Sequence, residues 1–308
     1  MLFNPIQLCQ YGLLLLGIRQ QDQMRLTMQR KIAIFRSHFG SAPSDLADVW
    51  SDLVSTNVQE FKLTEKEMSY KGLKMFLIAN FELWIYPKNA ELIMTRFDIC
   101  ETYSRGRHLW KWIHRIQALK ALKIQWMDSF NDPNAEEFII TIDGTDCRIW
   151  EKQHELFPVD RQLCSSKFNH AAFKYEIALA IRHNKIVWVN GPYKAGGMHD
   201  LTLFREEGLK DMMLATENKM AIVDRGYTTS KADEVLLLAF PNKADSKELA
   251  LFKSRARARH ETLNGRLKMF NILSETFRHA GDKHKVAFEA VCVLVQYQLD
   301  NGAFLFDV

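Results

Sequence analysis

The spacing of apolar residues changes character part-way along the chain. Up to about residue 130, apolar positions recur three and four residues apart, which predicts helices. We expect helices over residues 30–39, 45–54, 70–86, 89–97 and 104–122, with Gly40 ending the first and Pro87 ending the third. The apolar run at residues 11–18 is too short to span a bilayer and follows no basic segment, so it is predicted to be an N-terminal helix or a dispensable tail.

Beyond the turn-forming residues 131–134, Asn-Asp-Pro-Asn, strands and helices alternate. Strands are predicted over residues 138–143, 174–182, 185–190, 219–224 and near 236–240, with a tight turn at residues 183–184. Helices are predicted over residues 200–214, 231–238, 247–270 and 285–299. This pattern predicts an all-α domain over residues 1–130 and an α/β domain with a mixed sheet over residues 131–308.

Two of the predicted strands end in an aspartate with a glycine close behind. Asp143 precedes Gly144 directly, and Asp224 lies two residues before Gly226. We expect both carboxylates at the rim of the sheet, where open α/β sheets carry their chemistry. A third acid, Glu261, lies in a basic helix, and together the three residues form a candidate site for a divalent metal.

The order strand, hairpin, helix, strand, helix is that of an RNase H-like (retroviral-integrase-like) domain. In that topology the first strand neighbours the strand at 219–224. Asp143 and Asp224 would then lie side by side, and the later helix would bring Glu261 to the same edge.

Each of these three acids, and Asp200 at the start of the helix predicted over 200–214, also has a simpler interpretation. Asp143 and Asp224 could be turn residues, Asp200 could be the N-cap of the next helix, and Glu261 could pair with Arg257 one helical turn away.

Basic residues suggest two nucleic-acid contacts. The helix at 104–122 ends a helix-turn-helix-like outline and could enter a major groove, and the Glu261 helix is also basic; solvated helix faces are the alternative for both. Gly265, in the middle of the second helix, costs about 1 kcal/mol relative to alanine, which a close approach of DNA or plain close packing would explain. The candidate DNA-binding residues are Arg105, Arg107, Lys111, Arg115, Arg257, Arg259, Arg266 and Lys268.

Composition narrows the chemistry without naming it. The chain has 308 residues, a net charge of +4, 47% hydrophobic and 25% charged residues, as in ordinary globular proteins. Its five cysteines are scattered without a CxxC pair, which argues against a zinc ribbon or a disulfide framework. No HExxH, GxSxG or glycine-rich nucleotide-binding motif occurs, so the sequence does not support a zinc-protease site, a serine nucleophile elbow or nucleotide-driven chemistry.

At these motifs the chain resembles the Harbinger-like DDE transposases, also described as DDE superfamily endonucleases. The resemblance covers about residues 135–300 and rests on Ile-Asp-Gly-Thr at 142–145, Gly-Gly-Met-His-Asp at 196–200, Val-Asp-Arg-Gly-Tyr at 223–227, and the segment 259–268. It implies that Asp143, Asp224 and Glu261 are the catalytic acids, with Asp200 as a further acid near the metal. Asp146 departs from the family, whose members commonly carry histidine there.

The resulting hypothesis is a transposon-derived endonuclease and strand transferase that cuts DNA by a two-metal mechanism with Mg²⁺ or Mn²⁺. Asp143 would bridge both ions, with Asp224 and Glu261 each serving one. The resemblance also implies transposon-end and target DNA as substrates, a separate DNA-binding partner protein and residence in the nucleus. We further expect a homo-oligomer, and we expect no membrane partner. The alternatives are a domesticated relative that binds or assembles on DNA without cutting, and an RNase H-like nuclease with other substrates.

Overall fold

The computed structural model describes residues 2–56, 61–100, 106–126, 137–151, 160–216 and 219–308. Its internal contacts divide the chain into two units. The first comprises Met1–Lys123, Met269–Leu273 and Val286–Ala303, and the second Ile124–Lys268, Ser274–Lys285 and Phe304–Val308. The predicted domain boundary at 130/131 lies outside the described residues.

The described part of the first unit is helical. Apolar spacing and capping explain its bounds: Asn4 caps the first helix with Pro5 at its first position, and Gly40 ends the third in the left-handed region at φ 79°. The helices are α1 Pro5–Leu15, α2 Gln20–Met24, α3 Met28–Phe39, α4 Pro43–Ser55, α5 Tyr70–Ile85, α6 Glu91–Phe97, α7 Arg107–Ala118 and α8 Lys120–Lys123. Because α1 buries Leu8 and Leu13 completely, the N-terminal run is a core helix, not a dispensable tail.

A long helix near the end of the chain, Asp282–Asp300, is grouped mostly with the first unit. This differs from the predicted division, which assigned it to the second domain. The reason is that the helix is apolar around its circumference and needs burial on all sides. Its few polar groups are paired inside the first unit: Glu289 accepts from Lys120 at 2.7 Å, and the Tyr297 hydroxyl donates to Asp52 at 2.6 Å.

The second unit is built on a mixed sheet. Its strands are β1 Phe138–Arg148, β2 Cys164–Ser165, β3 His170–Ala180, β4 Ile186–Lys194, β5 Met220–Ile222 and β6 Leu238–Ala239. The order is β2-β3-β1-β5-β6, with β4 also paired to β3. Strands β1, β3 and β4 are successively antiparallel, whereas β1, β5 and β6 run parallel. The prediction that the first strand neighbours the strand at 219–224 is therefore confirmed.

The helices after β4 are α9 Asp200–Glu206, α10 Leu209–Leu214, α11 Ala232–Val235, α12 Lys247–Leu267, α13 Asn271–Ser274 and α14 Asp282–Asp300. The single helix expected over 200–214 is broken, because Gly208 adopts φ 97° between α9 and α10. The helix expected over 231–238 is reduced to α11. No helix in the described part of the chain has the length and hydropathy needed to cross a membrane.

Strand β1 does not end at Asp143 as predicted. It continues for five residues, because Gly144 pairs with Glu176 in β3 and the ladder runs on to Arg148. Its parallel neighbour β5 stops much earlier, at Ile222 opposite Thr141. Asp143 therefore lies in mid-strand, immediately beyond the point where β1 loses its parallel partner. The turn interpretation of Asp143 is wrong.

Candidate active site

The three acids singled out in the sequence meet at one place. Asp143 and Asp224 follow the paired segments of β1 and β5, and α12 carries Glu261 to the same edge. They line a small cleft of about 10 Å³, close to the space that one water molecule needs. The residues around the cleft are Thr141, Ile142, Asp143, Ile222, Asp224, Arg257, His260 and Glu261.

Crowding of negative charge shows in the titration of Asp143. Burial, together with the charges of Glu261, Asp224 and Asp200, raises the pKa of this carboxyl to about 7, against the opposing charge of Lys167. The Asp143 carboxylate accepts a hydrogen bond from the Asn264 amide at 2.8 Å. Asn264, one turn beyond Glu261, is 7% exposed, and its amide oxygen is buried with no partner among the described residues.

Asp224 and Glu261 do not fit their simpler interpretations equally well. The Asp224 carboxylate accepts from the Gly226 amide at 2.7 Å and caps the short 3₁₀ turn Arg225–Tyr227, so the turn role is real while the residue also lines the cleft. Glu261 forms no ion pair with Arg257 within the described chain, although both line the cleft. The expected pairing of these two residues is therefore wrong.

The Asp200 carboxylate lies against the same cluster, in space that two glycines leave open because they lack a side chain. A Cβ built on Gly144 would come within 2.5 Å of one Asp200 carboxylate oxygen, and one built on Gly226 within 3.0 Å of the other. The N-cap of α9 is His199, so the N-cap interpretation of Asp200 is wrong. Lys174, in β3, donates to Asp200 at 2.9 Å and neutralises part of the cluster.

A further buried acid, Glu176, was missed by the sequence reasoning. It is completely buried on β3 opposite Gly144, and burial raises its pKa to about 8, helped by the nearby charges of Asp200 and Glu207. The Trp188 indole donates to it at 3.2 Å. The one available signal was a glutamate inside an otherwise apolar strand, between Tyr175 and Ile177.

His260 fills the sheet side of the cleft as a neutral ring. Its Nδ1 lies 2.7 Å from the Thr141 hydroxyl, and burial lowers its pKa to about 3. Its Nε2 has no hydrogen-bond partner among the described residues. His260 thus lines the cleft as an uncharged side chain.

The candidate DNA-binding residues separate into distinct groups. Arg115 is only 2% exposed and forms an ion pair with Glu67 at 2.8 Å. The prediction that Arg115 contacts DNA is therefore wrong. Lys111, half exposed, pairs with the same Glu67 at 2.9 Å, while Arg107 is exposed. Arg105 lies outside the described residues.

On α12, Arg259 is also wrongly predicted. It is 2% exposed and donates to the carbonyl oxygens of Ala180, His183 and Phe306 at 2.7–3.0 Å, which makes it a structural anchor. Arg266 donates to the Phe304 carbonyl at 2.9 Å and remains partly exposed.

Of the remaining candidates on α12 and at its end, one lies at the acids and the other at an aromatic ring. Arg257 lines the cleft itself. Lys268 lies 5.6 Å from the centre of the Phe168 ring. Gly265 faces open space, since no described atom would lie within 4 Å of a Cβ there, and plain close packing does not explain it.

The acids are not arranged as a finished metal site. Within the described residues, no three His, Cys, Asp or Glu side chains are already placed to hold a metal ion. The carboxylates are instead occupied by protein donors: Asn264 on Asp143, Lys174 on Asp200 and the Gly226 amide on Asp224. A wider cleft of about 530 Å³ in the first unit, at residues 14–17 and 92–98, has Asp98 as the one acid among its described lining residues, so the acid cluster remains the candidate site.

Comparison with known proteins adds no relative: no family model, no curated protein and no solved structure matches this chain.

Proposed function

We propose that the second unit is a divalent-metal-dependent DNA endonuclease and strand transferase of the DDE transposase type. One observation carries the proposal. Three acids from separate parts of the chain, Asp143, Asp224 and Glu261, line one cleft, and burial together with the charges of the other two raises the pKa of Asp143. Perturbed acids gathered in a cleft are typical of catalytic sites.

The order of the strands supports the finer assignment of fold. In an RNase H-like domain the first strand neighbours the strand that carries the second aspartate. The pairing of β1 with β5, and of β5 with β6, supports this fold for the second unit.

The residues fit a hard divalent cation. Mg²⁺ and Mn²⁺ prefer carboxylate oxygens, and the cleft is lined by the carboxylates of Asp143, Asp224 and Glu261. Asp143, Asp224 and Glu261 would hold the metal, with Asp200 as a further ligand. When bound, such ions activate the attacking oxygen and stabilise the leaving oxygen of an in-line displacement at phosphorus.

The protein's own groups prepare this chemistry. Asn264 fixes the orientation of the Asp143 carboxylate by donating to it at 2.8 Å. Arg257 places a positive charge at the cleft, where a phosphate would otherwise meet only carboxylates. Neutral His260 adds no charge that would compete with the metal.

From the family resemblance we also propose that the protein acts on transposon ends and target DNA, works with a separate DNA-binding partner and resides in the nucleus. Formation of a homo-oligomer is part of the same proposal. A DNA-binding or assembly protein without cleavage is the second candidate. It is favoured by one observation, the ion pair of Lys174 with Asp200, which occupies a carboxylate that the metal would need.

Cleavage of supercoiled and linear DNA with Mg²⁺ or Mn²⁺ tests the proposal. Asp143→Asn, Asp224→Asn and Glu261→Gln should each abolish cutting while circular dichroism shows a retained fold. Glu248→Gln, an exposed acid in the first turn of the same helix α12, is the matched control and should cut normally. Metal-independent DNA binding without any cleavage by the native protein would favour the second candidate, and cleavage that survives all three substitutions would refute the site.

A further inference from the structure

Two cationic side chains lie against one aromatic ring in the second unit, and a third cation precedes that ring in the chain. Phe168 lies in the turn between β2 and β3, with Lys167 directly before it. The Arg148 guanidinium, at the end of β1, lies 4.9 Å from the centre of the Phe168 ring, and the Lys268 ammonium, at the end of α12, lies 5.6 Å from it. The ring therefore joins the strand that carries Asp143 to the helix that carries Glu261.

This group, which we term the Phe168 cluster (Arg148, Lys167, Phe168 and Lys268), borders the acids. The Lys167 ammonium donates to the Gly144 carbonyl at 3.2 Å, next to Asp143 in the chain, and its charge counteracts the rise in the Asp143 pKa. Lys268 follows Glu261 by two helical turns, which is about 10 Å along the helix axis.

The charges of the cluster are not neutralised. Within the described chain, Arg148, Lys167 and Lys268 form no ion pair with an acidic side chain, whereas other lysines of this unit do: Lys174 binds Asp200 and Lys253 binds Asp245. Contact with an aromatic face holds long cationic side chains in place and reduces the entropy lost when they bind an anion. The cluster is thus a pre-organised anion-binding surface.

We propose that Arg148 and Lys268, ordered by the Phe168 ring, and Lys167, held by the Gly144 carbonyl, bind the backbone phosphates of the DNA strand beside the bond that is cut. This inference rests on the proposed function. At 3.4 Å of axis per phosphate on one strand, the 10 Å between Glu261 and Lys268 corresponds to about three nucleotides. Lysine and arginine contacts to phosphate position a strand without reading its sequence, so the cluster sets the register of the strand in the cleft.

The test is the salt dependence of DNA binding in EDTA, where no cutting occurs. A fluorescently labelled duplex is titrated with the full chain at several NaCl concentrations. Each of Arg148→Gln, Lys167→Gln and Lys268→Gln should reduce the slope of log affinity against log salt by about 0.9, the value for one phosphate contact. Phe168→Leu keeps every charge and should still weaken binding by about five-fold, because the two cation–ring contacts are lost.

A second cation–ring pair on α12 gives the matched control. The Arg255 guanidinium lies 6.0 Å from the centre of the Phe306 ring, and both residues are exposed. Arg255→Gln and Phe306→Leu should leave the salt slope and the affinity close to native values. Lys167→Arg, which keeps the charge, should restore binding lost in Lys167→Gln.

The outcomes separate this inference from the proposed function. Equal losses in the Phe168 cluster and in the Arg255 pair, native binding by all cluster variants, or no DNA binding by the native protein would each overturn it. Tighter binding of an RNA duplex than of DNA would overturn the assignment of the partner. Selective loss of binding in the cluster variants, without metal-dependent cutting by the native protein, would uphold the phosphate surface and reject the nuclease.

Discussion

Removing the charge of Asp143 should stabilise the protein in the absence of metal. The native fold places this carboxyl in a buried position near three other acids, which raises its pKa from 3.8 to about 7. A carboxyl whose folded-state pKa is raised favours folding fully below its unfolded pKa, and this contribution is lost as pH rises through the folded value. We therefore expect Asp143→Asn to gain stability relative to the native chain as the pH increases.

The magnitude follows from the two pKa values. A tenfold change in an equilibrium constant is worth about 1.4 kcal/mol, so ionising the carboxyl costs the folded state at most about 4 kcal/mol at pH 8. At pH 5 the cost is at most about 2 kcal/mol, because only the unfolded carboxyl is then largely ionised. The stability difference between Asp143→Asn and the native chain should thus grow by at most about 3 kcal/mol between pH 5 and pH 8.

Urea unfolding in EDTA at pH 5 and pH 8 measures this difference. Asp211→Asn, the same chemical change at an exposed position of α10, serves as the control and should show no such growth. Adding Mg²⁺ or Mn²⁺ at pH 8 should stabilise the native chain more than Asp143→Asn, because a ligand stabilises only the state that binds it. An Asn variant that is destabilised equally at both pH values would show that Asp143 is a structural hydrogen-bonding residue and refute the reasoning.

Three further substitutions test separate parts of the structure. Gly265→Ala should raise the free energy of unfolding by about 0.5–1 kcal/mol, because it faces open space within a helix; if DNA approaches the backbone there, the same variant should bind DNA more weakly in an anisotropy titration. Gly144→Ala should lower the melting temperature and reduce cutting, since its Cβ would come within 2.5 Å of the Asp200 carboxylate. Arg115→Gln should cost about 2 kcal/mol in urea unfolding, because it removes the charge-assisted hydrogen bonds from a buried guanidinium to Glu67, and an unchanged urea curve would contradict the structural role.

Apolar spacing was sufficient to predict most elements of both units. The long periodic segments gave the helices α3, α5 and α12 to within a few residues, and the apolar runs gave β1, β3, β4 and β5. Bounds failed where pairing outweighed local preference. The sequence Asp-Gly at residues 143–144 favours a turn, but Gly144 stays in the strand because β1 remains paired with β3 beyond it.

The site was predictable in part for a related reason. Acids at strand ends are visible in a sequence, and their meeting follows from the order of strands. The burial of a charged side chain depends on neighbours that are distant in the chain, so nothing local distinguished anchored Arg115 and Arg259 from exposed Arg107. The same limit hid Glu176, whose environment is set by β1, Trp188 and Asp200 together.

Because β1 is much longer than β5, the two aspartates of the site should differ in the stability of the backbone that carries them. Asp143 belongs to an eleven-residue strand paired with β3 along its length, so its amide proton should exchange with solvent only when the whole unit unfolds. Asp224 follows a three-residue strand and begins a short 3₁₀ turn, so its neighbourhood should exchange through smaller, local openings. If an ion binds, Asp224 would therefore shift to accommodate it more readily than Asp143, whose strand would stay in place.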